Sequence, residues 1–190
     1  EYYTVPDSGG AGYHRGGNAL CTTYRFLEPG EVSIHDDRWL TYPWGVNGGH
    51  PGARSTKTLV RSNGDKELLQ SKCDRIKVED GDILYHVTWG GGGWGDPFTR
   101  EAERVAFDVD AGLVTREGAK KNYGVVLSKD CAVNKSATTQ LRKRMAKSRG
   151  KTKLFDKGFT SITELKQRCK EETGLEPPAT PKFQKWMLEA

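Results

Sequence analysis

No segment of this 190-residue sequence approaches the roughly 18 consecutive apolar residues of a membrane-spanning helix, so a helical membrane protein is not expected. The opening residues, EYYTVPDSGG, lack the basic and apolar regions of a secretion signal, and a cytoplasmic protein is the expectation. Cys21, Cys73, Cys131 and Cys169 are widely spaced and include no CxxC pair. That spacing signals neither a structural zinc site nor a disulfide scaffold, and the four read as free thiols. None of His14, His35, His50 and His86 stands in HxH or HExxH spacing, so no compact metal site is written into the chain. Its glycine-rich stretches are followed neither by Gly-Lys-Ser/Thr nor by a ribose-binding acid, which removes the usual grounds for ATP or dinucleotide binding by this chain itself. No internal repeat is evident.

What remains is polar and turn-rich. Hydrophobic residues make up 35% and charged residues 29%, with 23 glycines and 5 tryptophans. That composition suits one globular domain with room for a smaller appendage. The net charge of +5 is uneven: Lys129 to Ala190 holds 15 basic and 7 acidic residues, a net +8, which leaves −3 for the first 128 residues. Basicity therefore belongs to the tail, and the body is not a polyanion binder on its account. LRKRMAKSRGKTK, Leu141 to Lys153, reads as a solvated basic helix and linker; without aromatic interleaving, nucleic-acid binding is not expected.

Local patterns divide the chain. CTTYRFLEPGEVSIH places β-branched and aromatic residues on both sides of Pro29–Gly30, as in a hairpin. STKTLVR, the Asn63–Gly64 turn and KELLQSK predict a second strand pair. In RIKVEDGDILYHVTW, Ile76 and Val78 alternate before the Asp80–Gly81 turn, and Ile83, Tyr85 and Val87 after it. Thr115 caps a predicted helix over 116–122 that ends near Gly124, and Val125 to Leu127 reads as a terminal strand. Ser136 is the expected cap of a basic helix running to Arg149 and stopped by Gly150. Ser161 and Glu164 have capping-box spacing before a helix ending at Gly174, with Ile162, Leu165 and Cys169 on one face. EPPATPKF is a proline-rich spacer before Trp186. The expected fold is mainly β or α+β: a β-rich body over 1–130 with glycine-rich loops and short helices, then a basic helical extension over 131–190 serving as assembly surface.

HVTWGGGGWGDPFTR, His86 to Arg100, sets Gly90, Gly91, Gly92 and Gly93 between Trp89 and Trp94 and adds Gly95. Ordering glycine is entropically costly, so such a run requires left-handed dihedrals or close backbone approach. It serves either to present consecutive N–H groups to an oxyanion or to let segments pack tightly around the tryptophans.

Four separated motifs resemble, in order, the C-terminal part of the hydantoinase B/oxoprolinase family, which includes large subunits of ATP-dependent ketone carboxylases. They are GGAGYHRGGNALCTTYRFLEPG, DRWLTYPWGVNGGHPG, GDILYHVTWGGGGWGDPFTR and DVDAGLVTREGAKKNYGVVL, covering about residues 1–130. Trp89 replaces a proline common in the family and Trp94 a tyrosine, the first altering how the chain approaches the glycines. The resemblance implies opening of cyclic amides or carboxylation of ketones after ATP-driven phosphorylation of a carbonyl or enol oxygen. It implies a hydantoinase-A-like partner that handles ATP, and a divalent metal bound mainly outside this chain. Family chains run to several hundred residues, so this one reads as a fragment, processed piece or split subunit needing an upstream or companion hydantoinase-B-like chain. A non-catalytic structural or regulatory subunit of such a complex is the alternative.

Among individual residues, Arg15 either clamps an oxyanion or joins a salt bridge. Arg38 has Asp36 and Asp37 as local partners. His86 is the histidine nearest the glycines and a proton-transfer candidate. Asp96 either fixes the Gly-Asp-Pro turn or orients a proton-transfer group, and Asp80 and Asp82 read as turn residues. Gly16, Gly17, Gly48, Gly49, Tyr123 and Gly124 are expected framework residues beside the glycine run.

Overall fold

The computed structural model describes residues 1–179; Trp186 and the end of the spacer before it lie outside the described residues. The chain runs through β1 (Tyr2–Thr4), β2 (Leu20–Arg25), β3 (Gly30–His35), β4 (Gly45–Val46), β5 (Thr56–Val60), β6 (Lys66–Leu68), β7 (Lys72–Val78) and β8 (Ile83–Val87). A 3-10 turn at Pro97–Thr99 leads into α1 (Ala102–Asp110), α2 (Arg116–Tyr123), α3 (Lys135–Arg149), β9 (Phe155–Asp156) and α4 (Ile162–Thr173). This is an α+β fold, its sheets concentrated before residue 90 and, among the described residues, four α-helices after residue 100.

Five antiparallel strands form the main sheet in the order β1-β2-β8-β5-β6, while β3 pairs with β7 and β4 with β9. Asn63–Gly64 makes the expected turn between β5 and β6, with Thr58 opposite Leu68. The hairpin expected at Pro29–Gly30 does not form: both strands exist, but they belong to different sheets. β2 is flanked on both edges by β1 and β8, and its end is tied to the turn before β8 by Phe26 N–H to Asp82 O (2.9 Å) and Gly81 N–H to Phe26 O (3.0 Å). With no edge left on β2, the chain crosses to the second layer, where β3 pairs instead with β7, Gly30 opposite Val78.

Between these layers Leu59, Leu84, Leu69, Val78 and Ile34 form one buried core, extended by Phe26, Val32 and Ile76. Each fully buried leucine there contributes about 1.5–3 kcal/mol. A second core joins Ala11 to Val105, Val114, Ala119, Tyr123 and Val125, binding α1 and α2 to the glycine-rich segments.

Thr115 caps α2 by accepting from Gly118 N–H, and Gly124 closes it in the left-handed conformation. Val125 to Leu127 is not a strand: only the single bridge between Leu127 and Val133 forms, because Val125 is drawn into the second core and Val126 N–H bonds the Thr138 hydroxyl. α3 is capped by Asn134 rather than Ser136, its side chain accepting from Ala137 N–H at 3.0 Å. In α4 the Ser161–Glu164 cap forms, and Leu165 and Cys169 are buried, but Ile162 points to solvent. α4 rests on the body: Arg168 bonds Tyr42 Oη (2.8 Å), and Glu172 pairs with Arg54.

Candidate functional site

The glycine run is the middle layer of a three-segment backbone stack. Gly91 N–H donates to Gly17 O and Gly10 N–H to Gly91 O, both at 2.8 Å, while Gly93 N–H donates to His50 O and Val46 N–H to Gly93 O, both at 2.9 Å. Gly90 to Gly93 are absent from the left-handed conformations, which in this run are confined to Gly95 (φ 77°). Close approach is therefore what requires glycine: a methyl group on Gly90 would overlap the Ser8 carbonyl oxygen, and one on Gly92 the Trp44 carbonyl oxygen. The N–H groups of Gly90, Gly91, Gly93 and Gly95 all donate within the protein, so the run binds chain segments together rather than presenting a row of free donors.

Asp96 leaves this stack and caps the 3-10 turn, accepting from Phe98 N–H at 2.9 Å. Arg149, at the end of α3, meets both its carboxylate oxygens at 2.7 Å and lies over the Phe98 ring at 4.5 Å. That paired donor holds the Asp96 carboxyl below the usual carboxylate range. Arg15 donates to Gly16 O (2.7 Å) and Asn18 Oδ1 (2.8 Å), and its Nε lies 3.6 Å from Asp108, which also receives Arg100 at 2.8 Å. Arg142 ties α3 to Tyr123 O and Arg100 O (2.9 and 2.8 Å), and burial pushes the Tyr123 phenol up to about 12. Gly124 follows directly as the α2 cap.

His86 lies elsewhere, on β8, facing a groove of about 510 Å³ between the two sheets. Its cross-strand neighbour Lys57 is fully buried and paired with Asp36, which also lines the groove. Burial first, and the Lys57 charge second, hold the His86 imidazole below its ordinary value, so it is neutral at neutral pH. Burial also draws the Lys57 ammonium down to about 8, with the nearby Cys73 opposing that fall. Arg15 and Asp96 thus share the glycine stack, whereas His86 opens onto the groove. Asp36 and Asp37 pair with Lys57 and Lys72 respectively, so Arg38 lies over the Trp44 ring (5.9 Å) instead of joining its sequence neighbours.

His50 has a larger place than its isolated position in sequence suggested. Its backbone belongs to the glycine stack, and its side chain borders two clefts of about 210 and 340 Å³ that also share Asp156. Burial is the main cause that lowers its pKa. The Lys57–Asp36 pair did carry a sequence signal: in STKTLVR, Lys57 falls on the face of Leu59, and a lysine on an apolar face needs a buried acid. Among the described residues, no three His, Cys, Asp or Glu side chains converge as a metal site. The donor set of the described residues does not fit a divalent ion.

Such a body is a scaffold in which Arg15 and Asp96 are already engaged by Asp108 and Arg149. The chain belongs to the hydantoinase B/oxoprolinase family, whose family model matches residues 1–97. It is 33% identical over 144 residues to a putative D-/L-hydantoinase component of Pseudomonas sp., covering 74% of this chain and 24% of that protein. To the acetone carboxylase alpha subunit of Xanthobacter autotrophicus it is 29% identical, covering 74% and 24%. The crystal structure of ATP-dependent caprolactamase from Pseudomonas jessenii superposes with a TM-score of 0.62 at 28% identity, over 75% of this chain and 25% of that one. The chain spans about a quarter of the length of these relatives. Among the described residues, no helix is long and apolar enough to cross a membrane.

Proposed function

We propose that this chain supplies one wall of a multisubunit, cytoplasmic, ATP-dependent enzyme acting on a cyclic amide or a ketone. A hydantoinase-A-like partner handles ATP, and hydantoinase-B-like polypeptide corresponding to the rest of the relatives' length completes the chamber. The observation that carries this reading is the glycine stack, which hydrogen-bonds three of the four family motifs to one another beside an open groove. In this reading Arg15 and Asp96 are positioning residues, since Asp108 and Arg149 already engage them. His86, neutral and facing the groove, is the residue suited to accept a proton. Residues 1–130 form the body and 131–190 the assembly extension, with Lys143, Arg144 and Lys147 of α3 exposed for partner contact. The engagement of Arg15 and Asp96 also favours a second reading, a purely structural subunit.

The test is to purify the tagged chain with its companions and assay ATP hydrolysis with hydantoin, 5-oxoproline, caprolactam, and acetone with bicarbonate. The complex is expected to turn over one of these and the isolated chain none. His86→Gln should lower kcat about 10²–10⁴-fold if it transfers the proton. Unchanged turnover in that variant selects the structural reading. A complete complex that neither hydrolyses ATP nor converts any of the four refutes the enzyme reading.

A further inference from the structure

The two layers of the body differ in width. Five strands at about 4.8 Å spacing make the main sheet roughly 19 Å across, and a two-stranded layer covers less than half of that. Burial along the cross-strand rows shows where the cover ends. In the row Leu59, Leu84, Tyr24, exposure rises from 0% to 4% to 51%. In the row Lys57, His86, Thr22, Tyr2, it rises from fully buried, through half-buried, to 69% at Tyr2. The groove lies over the uncovered part, and Val32 to His35 of β3 line it. The β3–β7 register shifts between Val32 and Ile34, so alternation is broken there and residues of both faces, with the strand edge between them, border the space. Among the described residues β3 has a hydrogen-bonded neighbour only in β7, so its groove-side edge is unpaired. An unpaired edge beside an apolar floor is a template for strand addition.

We infer that an extended segment of the companion hydantoinase-B-like polypeptide adds to the free edge of β3, lays alternate apolar side chains onto Tyr24 and Leu84, and roofs the groove. This inference rests on the proposed multisubunit reading. Its occupant follows from length: the chain spans about a quarter of its relatives, and the remaining three quarters hold ample chain to widen a two-stranded layer. The roof would place His86 at the seam between the two polypeptides.

The probe is the hydantoinase-B-like polypeptide that purifies with the tagged chain, identified by peptide sequencing and mixed back with the pure chain. Hydrogen exchange at residues 31–35 should slow by about tenfold or more on mixing. Tyr24→Lys should weaken association by about tenfold or more, while Phe107→Lys, on exposed α1, should leave it unchanged. Circular dichroism and a melting curve for Tyr24→Lys check that its fold is intact. Association with unaltered exchange at 31–35 overturns the inference and leaves the multisubunit reading standing. Absence of any hydantoinase-B-like companion overturns both. Protection of 31–35 in the pure chain, with a doubled mass by light scattering, assigns the edge to a second copy and also overturns it.

Discussion

Replacing Gly92 with alanine tests whether the glycines serve close backbone approach. The added methyl would fall on the Trp44 carbonyl oxygen, part of the fixed backbone rather than the yielding end of a side chain. The 44–49 segment would have to withdraw, straining the bonds from Val46 N–H to Gly93 O and from Gly95 N–H to Val46 O, both at 2.9 Å. Overpacking costs about 1–3 kcal/mol, and two weakened backbone bonds add about 0.5–1.5 kcal/mol each. A loss of roughly 2–6 kcal/mol follows, which in a chain of this size lowers Tm by at least about 4 °C. Gly17→Ala is the control: nothing lies within 4 Å of its added methyl and its φ is not positive. It should be neutral or stabilising by up to about 1 kcal/mol. The assay is urea and thermal unfolding of the three proteins under the same conditions. Equal stability of Gly92→Ala and Gly17→Ala would refute the packing account and return the run to a role in ligand contact.

Arg149→Ala should cost about 1–3 kcal/mol in urea unfolding, because it removes both charged donors from Asp96. Since Arg149 lowers the Asp96 pKa, the pair's contribution is complete above the unfolded carboxylate value of about 4 and is lost as pH falls through the lower folded value. The stability gap between the parent and Asp96→Asn should accordingly close in acid, and a gap independent of pH would contradict the pairing. Lys57→Met should cost about 3–5 kcal/mol by leaving Asp36 buried and uncompensated, whereas Lys57→Met with Asp36→Leu should recover most of it; additive losses would refute that coupling. His50 and His86 both have pKa values lowered by burial, so stability should hold above about pH 6.5 and decline below it as the unfolded chain takes up protons. NMR titration of the two imidazoles checks the cause, and ordinary midpoints would disprove it. A labelled DNA duplex should keep its electrophoretic mobility beside the chain even at low salt, despite the basic face of α3.

What the sequence disclosed was local. Caps and turns are short-range chemistry, so Thr115, Gly124, Ser161 and Asn63–Gly64 could be read directly, and the strands around them followed from alternation. Pairing was less accessible, because a Pro-Gly turn between two strand-like runs does not reveal that the first run already has neighbours on both edges. Asn134 displaced Ser136 as the α3 cap by a shift of two residues, a choice between two competent side chains that composition does not decide. The partner of Asp96 was invisible for a different reason: Arg149 stands 53 positions away in a basic stretch where no single cation is marked out.

The same distinction bears on where function resides. Arg15 and Asp96 are conspicuous in sequence because they border glycines, yet in the fold their charges hold Asp108 and α3 in place. Lys57, inconspicuous among strand residues, is a buried cation directly opposite His86. A buried ion pair seldom adds net stability over an apolar substitute, so its presence on this sheet calls for another effect. Here one effect is visible: the Lys57 charge, secondary to burial, helps keep His86 unprotonated at the edge of an open groove. If that is its use, Lys57→Met combined with Asp36→Leu should raise the His86 pKa toward 6.5 while leaving the fold intact. A His86 titration that does not move in this double variant would reduce the pair to a packing feature and remove the electrostatic reason for placing proton transfer there.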